Sequence, residues 1–369
     1  MVKLLNFPFD IQEQILQEMH IKQVVLLSFC SSRMKDVIRQ ARIKVPFFGF
    51  CWQKDWKKGF YFRDYGKSVF YWIFHPSLFP RELKPIKKRF DVTVGTNILS
   101  TCFSGLETIN CSRGSDIMDA CQVAELLMNL FRVPPLELYI DCDKVQHMNQ
   151  FLAHPVIRTT NNVVVEGGSV DWNTLSMIAE SLPALDTLIV NARRITGQLT
   201  ESNRILTTKS LFFAEGKWLK KQHLPLFESN AVVFIKKSNL KTEDLIQFVK
   251  EWMNGRNTSL AAFGVYSSRK LDKEAIRREI PMEPWNPERR GRFFDLGKKI
   301  LFHVKRKDPH VHGFIDSSLG MDFERADGLL ASLLFNRTGF LFCVWHERFP
   351  KYPTEWDEML REREQNRPY

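Results

Sequence analysis

The sequence predicts an α/β protein in which a small N-terminal three-helix module precedes an irregular, repeat-like α/β domain. Three observations predict it. Apolar residues recur at helical spacing over positions 11–38, aromatic tracts broken by glycines fill 45–79, and short strand-like tracts return at intervals from residue 136 onward. The 369 residues are 44% hydrophobic and 26% charged, a globular composition that excludes a disordered or collagen-like chain. Lys+Arg 53 against Asp+Glu 42 leaves a net charge of +11, which permits attraction to acidic partners without specifying one. Seven cysteines form no C-x-x-C pair, as expected for reduced thiols in a cytoplasmic or nuclear protein. No stretch approaches the roughly eighteen consecutive apolar residues of a membrane helix, so no membrane association is expected.

The first helix follows Pro8, a residue suited to a helix start. Ile11, Ile15, Leu16 and Met19 give it an apolar stripe, with Gln12, Glu13, Gln17 and Glu18 expected outside. A second helix is expected over 23–29, where Val24, Val25, Leu26 and Leu27 are too apolar to face water. A third runs over 32–40, with Met34, Val37 and Ile38 inward and Arg33, Lys35 and Arg39 outward. About forty residues bury too little core to stand alone, so the surplus apolar surface should dock elsewhere.

Residues 4–42, with Phe7-Pro8, the aliphatics Ile11, Ile15, Leu16 and Met19, and Ser28-Phe-Cys-Ser31, resemble an F-box of the divergent type abundant in nematodes. The resemblance implies binding to a Skp1-like adaptor and, through it, to a cullin ubiquitin ligase. The residues it implies at the adaptor interface are Phe7, Pro8, Ile11, Ile15 and Leu27.

Residues 43–129 are expected to form a strand-rich connecting region. Aromatic strands and glycine turns account for it, and Lys54, Lys57, Lys58, Arg63 and Lys67 decorate it. An RNA-binding protein using these basic and aromatic surfaces is the alternative reading, although no RNA-module fingerprint supports it.

From 130 to 345 the chain alternates. Strand-like tracts at 136–140, 163–165, 188–190, 211–213, 232–235 and 260–265 are separated by helical or irregular segments at 145–152, 172–181, 217–224 and 242–253. Centres at Leu138, Val164, Ile189, Phe212, Phe234 and Ala262 step by 26, 25, 23, 22 and 28 residues. Such steps lie in the leucine-rich-repeat range, although the repeat consensus is poorly kept. A doubly wound sheet would alternate similarly and is the fold alternative, but no G-x-G-x-x-G or G-x-x-x-x-G-K-[ST] is present. Thr242 is read as the cap of the best-defined helix, Leu245, Phe248, Val249 and Trp252 as its apolar face, and Asn254-Gly255 as its stop. Lys241 to Gly255, with Leu245, Phe248 and Trp252, and Ser169 to Leu175, with Trp172, resemble the nematode F-box-associated domain of the second type. That resemblance spans roughly 130–270 and implies a receptor for proteins to be ubiquitinated.

No catalytic constellation emerges. Asp141, Asp143 and His147 form the most tempting cluster for a divalent ion, and an enzyme built around them is a third reading. The carboxylates follow a strand, where a polar turn is expected. Cys102, Cys111 and Cys121, and His303, His310 and His312, lack zinc-site spacing. His346-Glu347 is not H-E-x-x-H, and there is no G-x-S-x-G turn. The chain is therefore expected to be no enzyme and to need no cofactor or metal, with nucleic acid an unlikely partner. The basic stretch 289–307 is expected as a solvated rim or, failing that, a charged docking patch. A last strand is expected at 340–345 and a charged tail at 346–369. The expected substrate-binding residues are Tyr139, Asp141, Glu166, Asn191 and Tyr266, each in or beside successive strands.

Overall fold

The computed structural model describes residues 4–45, 47–52, 58–64, 67–75, 89–94, 97–104, 108–112, 117–143, 145, 147–296 and 314–350. Lys54, Lys57, His303, His310, His312, the basic residues of 298–307 and the tail beyond 350 lie outside the described residues. Two compact units divide the chain at Thr208 and Lys209.

The first unit opens with α1 (Phe9–Glu18), α2 (Ile21–Ser28) and α3 (Ser32–Ala41). Pro8 stands at the N-cap of α1 and its carbonyl accepts from the amides of Ile11 and Gln12. The Ser31 hydroxyl accepts from the amide of Met34 and caps α3. Leu16, Val24, Val25, Met34 and Ile38 fill the space between the helices. Gln12 is buried too, which corrects its expected outward placement: its amide donates to the Phe7 carbonyl at 2.6 Å, so burial leaves that donor satisfied. Ile11 and Ile15 are the residues that turn outward.

The sheet of this unit contains β1 (Phe47–Trp52), β2 (Lys58–Asp64), β3 (Lys67–His75), β4 (Arg89–Val94), β5 (Asn97–Ser104), β6 (Thr108–Ser112), β7 (Glu137–Asp141), β8 (Asn162–Gly167) and, after the short β9 (Val170–Asp171), β10 (Thr187–Ala192). Their spatial order is β10-β8-β7-β1-β2-β3-β6-β5-β4. β10, β8, β7 and β1 run parallel, while β1, β2 and β3 are antiparallel neighbours. Most rings of the described aromatic tracts are core. Phe48, Phe50, Phe60, Phe62 and Phe70 are buried, and Phe50 stacks on Phe60 at 4.6 Å. Rings so enclosed cannot stack on nucleic-acid bases; of the same tracts Tyr71 on β3 stays 37% exposed. Phe29 at the end of α2 meets Trp72 of β3 edge-on, and the chain after α3 pairs with Arg132, so the helical module docks on this sheet.

α4 (Ile117–Leu130) has no counterpart among the expected elements. Eight of its residues are buried, including Ala120, Cys121, Val123, Ala124 and Leu127, so apolar residues nearly encircle it and its amphipathic period is weak. α5 (Met148–Ala153), α6 (Pro155–Arg158) and α7 (Trp172–Ser181) fill the links between the parallel strands. α7 begins where Asp171 caps it, its carboxylate accepting from Thr174 N at 2.8 Å. β9 pairs with β11 (Ile195–Thr196) in a small separate ribbon.

The second unit orders its strands β15-β18-β19-β20-β14-β13-β12, where β12 is Ser210–Phe213, β13 Val232–Ser238, β14 Ala262–Ser267, β15 Glu283–Pro284, β18 Met321–Glu324, β19 Leu330–Phe335 and β20 Gly339–Trp345. β16 (Phe293–Asp295) and β17 (Phe314–Asp316) form a separate antiparallel ribbon. β12, β13 and β14 are parallel in chain order, and the remaining pairs in the sheet are antiparallel. α8 (Thr242–Met253) covers one face and α9 (Lys273–Glu279) packs beside it. Leu245, Phe248, Val249 and Trp252 are buried, with Phe248 against Phe263 and Trp252 against Phe342. The helix stops at Gly255, whose φ of +93° suits glycine. Its cap is Lys241 rather than Thr242: the Lys241 amide donates to Asp244, while Thr242 accepts from Asp272 N with its hydroxyl.

Each expected strand tract of 136–265 forms a strand, giving mixed α/β units with parallel runs. Neither run doubles back at a switch point, as a doubly wound sheet must. The antiparallel strands that extend both sheets depart from a simple leucine-rich-repeat stack.

Candidate functional site

α1 carries the clearest exposed apolar cluster. Phe7, Phe9, Ile11 and Ile15 are 38%, 37%, 39% and 37% exposed, while their neighbour Leu16 is wholly buried. Ile11 and Ile15 are four residues apart and therefore adjacent on one helical face. Phe7 is held just before the helix by the bond from Gln12 to its carbonyl. Pro8 is also exposed, whereas Leu27 on α2 is half-buried. The module thus has its own core and a second apolar face beside it. Covering these side chains would contribute on the order of 1 kcal/mol each, from the area they still expose.

Three of the expected substrate-binding residues come together. Asp141, Glu166 and Asn191 form one rung across β7, β8 and β10. Asn191 is exposed and Glu166 half-buried, but Asp141 is buried. Its carboxylate accepts from Asp143 N, and Asp143 in turn accepts from Gly168 N at 2.8 Å. Together they build the polar turn that follows β7. Burial, then the charges of Asp141 and Asp143, push the Cys142 thiol up to about 12. His147 sits in the left-handed region at φ +54° before α5. Among the described residues no three His, Cys, Asp or Glu side chains are grouped to hold a metal ion. Cys102 and Cys111 are buried, and the Cys111 sulfur accepts from the Trp72 indole at 2.7 Å.

Tyr139 is buried beside Tyr61, one step back along β7 on the face of Asp141. Burial, reinforced by Tyr139, holds the Tyr61 hydroxyl well above the ordinary tyrosine range. Tyr266, in the second unit, is 52% exposed at the end of β14.

The described part of the basic stretch is neutralised within its own unit. Arg290 is fully buried, donates to both carboxylate oxygens of Asp322 and to the Ser317 carbonyl, and lies 4.6 Å from the centre of the Trp345 ring. Ser332 donates to Asp322 and accepts from the Trp345 indole, so β18, β19 and β20 meet at this group. Arg289 bonds Glu283 and Glu324, Arg348 bonds Glu324, and Arg292 bonds Asp316. Hydrogen bonds from Arg289 and Arg348 hold the Glu324 carboxyl below its ordinary value. Only one signal in the sequence could have revealed the buried pair, namely Asp322 alternating with apolar Met321 and Phe323 in a short strand. No helix among the described residues is long and apolar enough to cross a membrane.

Residues 4–46 match the F-box domain family, and residues 201–265 match the family described as F-box associated. An uncharacterized protein of Caenorhabditis elegans is 22% identical over 362 residues, spanning 94% of this chain and 80% of that protein. No solved structure matches the chain.

Proposed function

We propose that this chain, which carries an F-box domain at its N terminus and an F-box-associated segment at 201–265, is a substrate-recognition adaptor of a Skp1-cullin-F-box ubiquitin ligase. The F-box and its associated segment indicate such an adaptor in general terms. The finer reading assigns the binding of a Skp1-like protein to Phe7, Pro8, Ile11, Ile15 and Leu27. The observation that carries it is the exposed apolar face of α1 beside a core already filled by Leu16, Val24 and Ile38. Partners perform the chemistry, and the chain itself has no catalytic role and requires no cofactor. Residues 1–42 serve the adaptor, 43–129 connect, 130–345 receive the substrate as a repeat-like run of strands, and 346–369 form a tail. Asp141, Glu166 and Asn191 would present one polar rung to the substrate, with Tyr139 beneath it and Tyr266 in the second unit. The setting is cytoplasmic or nuclear.

Affinity purification of the full chain, compared with Ile15→Asp, tests the reading. A Skp1-like protein should co-purify with the parent and be lost from the variant, while circular dichroism is unchanged. Retention of the adaptor by both Ile15→Asp and Pro8→Ala would remove this interface. Because the helical module is anchored to its sheet through Phe29 and Trp72, a point change is cleaner than deletion of residues 1–42.

A further inference from the structure

On the face of the second unit's sheet opposite α8, one rung crosses five strands. Phe212 pairs with Phe234, Phe234 with Gly264, Gly264 with Leu341 and Leu341 with Leu334. All four side chains are apolar and only half-buried, although the rungs on the far side of them are closed. Phe294 packs edge-on against Trp345 there, and Val232, Ala262, Cys343 and Leu330 are buried beneath it. The rung is therefore a shelf, closed along one side and open along the other.

The centre of the shelf is shaped by Gly264. A Cβ at this position would collide with the Phe234 ring, so the missing side chain lets that ring lie across β14. Phe212 and Phe234 stack with ring centres 5.5 Å apart. At the open side the Lys236 ammonium stands 5.7 Å from the centre of the Phe212 ring, and Tyr266 is exposed on the same face. Glu215 is already engaged by Lys217 and Lys237, and among the described residues Lys236 meets no carboxylate.

From this arrangement we propose that the shelf receives an extended protein segment with apolar side chains and an adjacent carboxylate. The apolar side chains cover the Phe212–Phe234–Leu341–Leu334 row, and the carboxylate meets Lys236. A protein segment fits better than RNA because the row continues from stacked rings into two leucines, which offer bases nothing to stack on, and among the described residues Lys236 is the cation that stands over it. The inference rests on the substrate-adaptor reading and names the chemistry of the substrate.

Fluorescence anisotropy on the full chain tests it, with three labelled probes: a short peptide alternating Glu and Leu, its Lys and Leu counterpart, and oligouridine. The acidic peptide should bind saturably and the other two should not compete with it. Phe234→Ala should weaken that binding about tenfold, as for a central aromatic contact. Lys236→Glu, an exposed change that leaves the fold intact, should weaken it about fivefold. Equal binding of the basic peptide, preference for oligouridine, absence of saturable peptide binding, or indifference to both substitutions would each overturn the proposal. Capture of the Skp1-like adaptor is measured on the same preparations. Adaptor capture without peptide binding sinks the shelf alone. Peptide binding that depends on Phe234 and Lys236 without adaptor capture upholds the shelf and sinks its place in a ligase.

Discussion

In the first unit the rung at the ends of the parallel strands reads Asp141, Glu166, Asn191; in the second the central rung reads Phe212, Phe234, Gly264. Both are built from successive parallel strands in register, and both sheets contain a glycine over which a neighbouring aromatic ring lies, Tyr61 over Gly49 and Phe234 over Gly264. The uses differ. Asp141 spends its carboxylate on the turn after β7, and Asp143 ties that turn to Gly168. The phenylalanine rung leaves apolar surface half-covered beside Lys236, which meets no carboxylate among the described residues. A polar group that has found partners in its own fold holds structure together, whereas apolar area left at the surface is free to bind.

The sharpest challenge to that distinction is the buried ion pair. Arg290→Met should destabilise the protein by about 3–5 kcal/mol in chemical denaturation, because Asp322 is left charged and buried. Adding Asp322→Leu should recover much of the loss. A single change that costs almost nothing would mean that Arg290 belongs to a surface after all.

The same division can be tested within one helix. Leu16→Ala should cost about 2–5 kcal/mol, since it empties the core of the helical module. Ile15→Ala, one residue away, should stay within about 0.5–1 kcal/mol of the parent in the same denaturation experiment. Adaptor capture should fall with Ile15→Ala at a protein concentration near its Kd. If both changes shift stability equally, Ile15 is a core residue.

At the polar turn, Asp143→Ala should cost about 0.5–1.5 kcal/mol through the lost bond to Gly168 N. Thermal melts with and without a chelator should coincide for parent and variant. A parent midpoint that drops on chelation would instead assign the Asp141–Asp143 turn to a metal.

The smallest effect belongs to Asp327. Hydrogen bonds from Arg325 hold its carboxyl near about 2, below the ordinary 3.8. A folded value below the unfolded one stabilises above the unfolded value, and that stability is lost as pH falls from near 4 through about 2. Asp327→Asn should therefore lower the thermal midpoint slightly near neutral pH, and its difference from the parent should fade as pH falls from near 4 through about 2. A difference that persists undiminished below about pH 2 would contradict the assignment.

Much of the secondary structure was legible because its signals are local. α7 spans the expected residues since Asp171 caps it and its apolar positions keep helical spacing; α8 ends where Gly255 must take a positive φ. The aromatic tracts and the six later strand tracts were also readable, from composition and turn residues. α4 was not, because a helix buried on most sides carries little period. The candidate site was half legible. Ile11 and Ile15 stand among the residues that the F-box resemblance implies for the adaptor, but their apolar stripe alone would set them inward with Leu16. The apolar shelf is not legible in the sequence, where Phe212 and Phe234 read only as strand centres.

What the sequence determined alone was the kind and place of most elements, and the F-box motif at their head. Propensity, capping and spacing act between residues close along the chain, so they survive without a fold. Tertiary structure decided which face of each element is covered. Arg290 and Asp322 are 32 residues apart in sequence yet share one buried bond, and Phe234 leans on Gly264 from another strand. Alternation along a strand gives two faces but does not say which one meets water. That choice rests on the partners packed against each face, and only the assembled sheet supplies them.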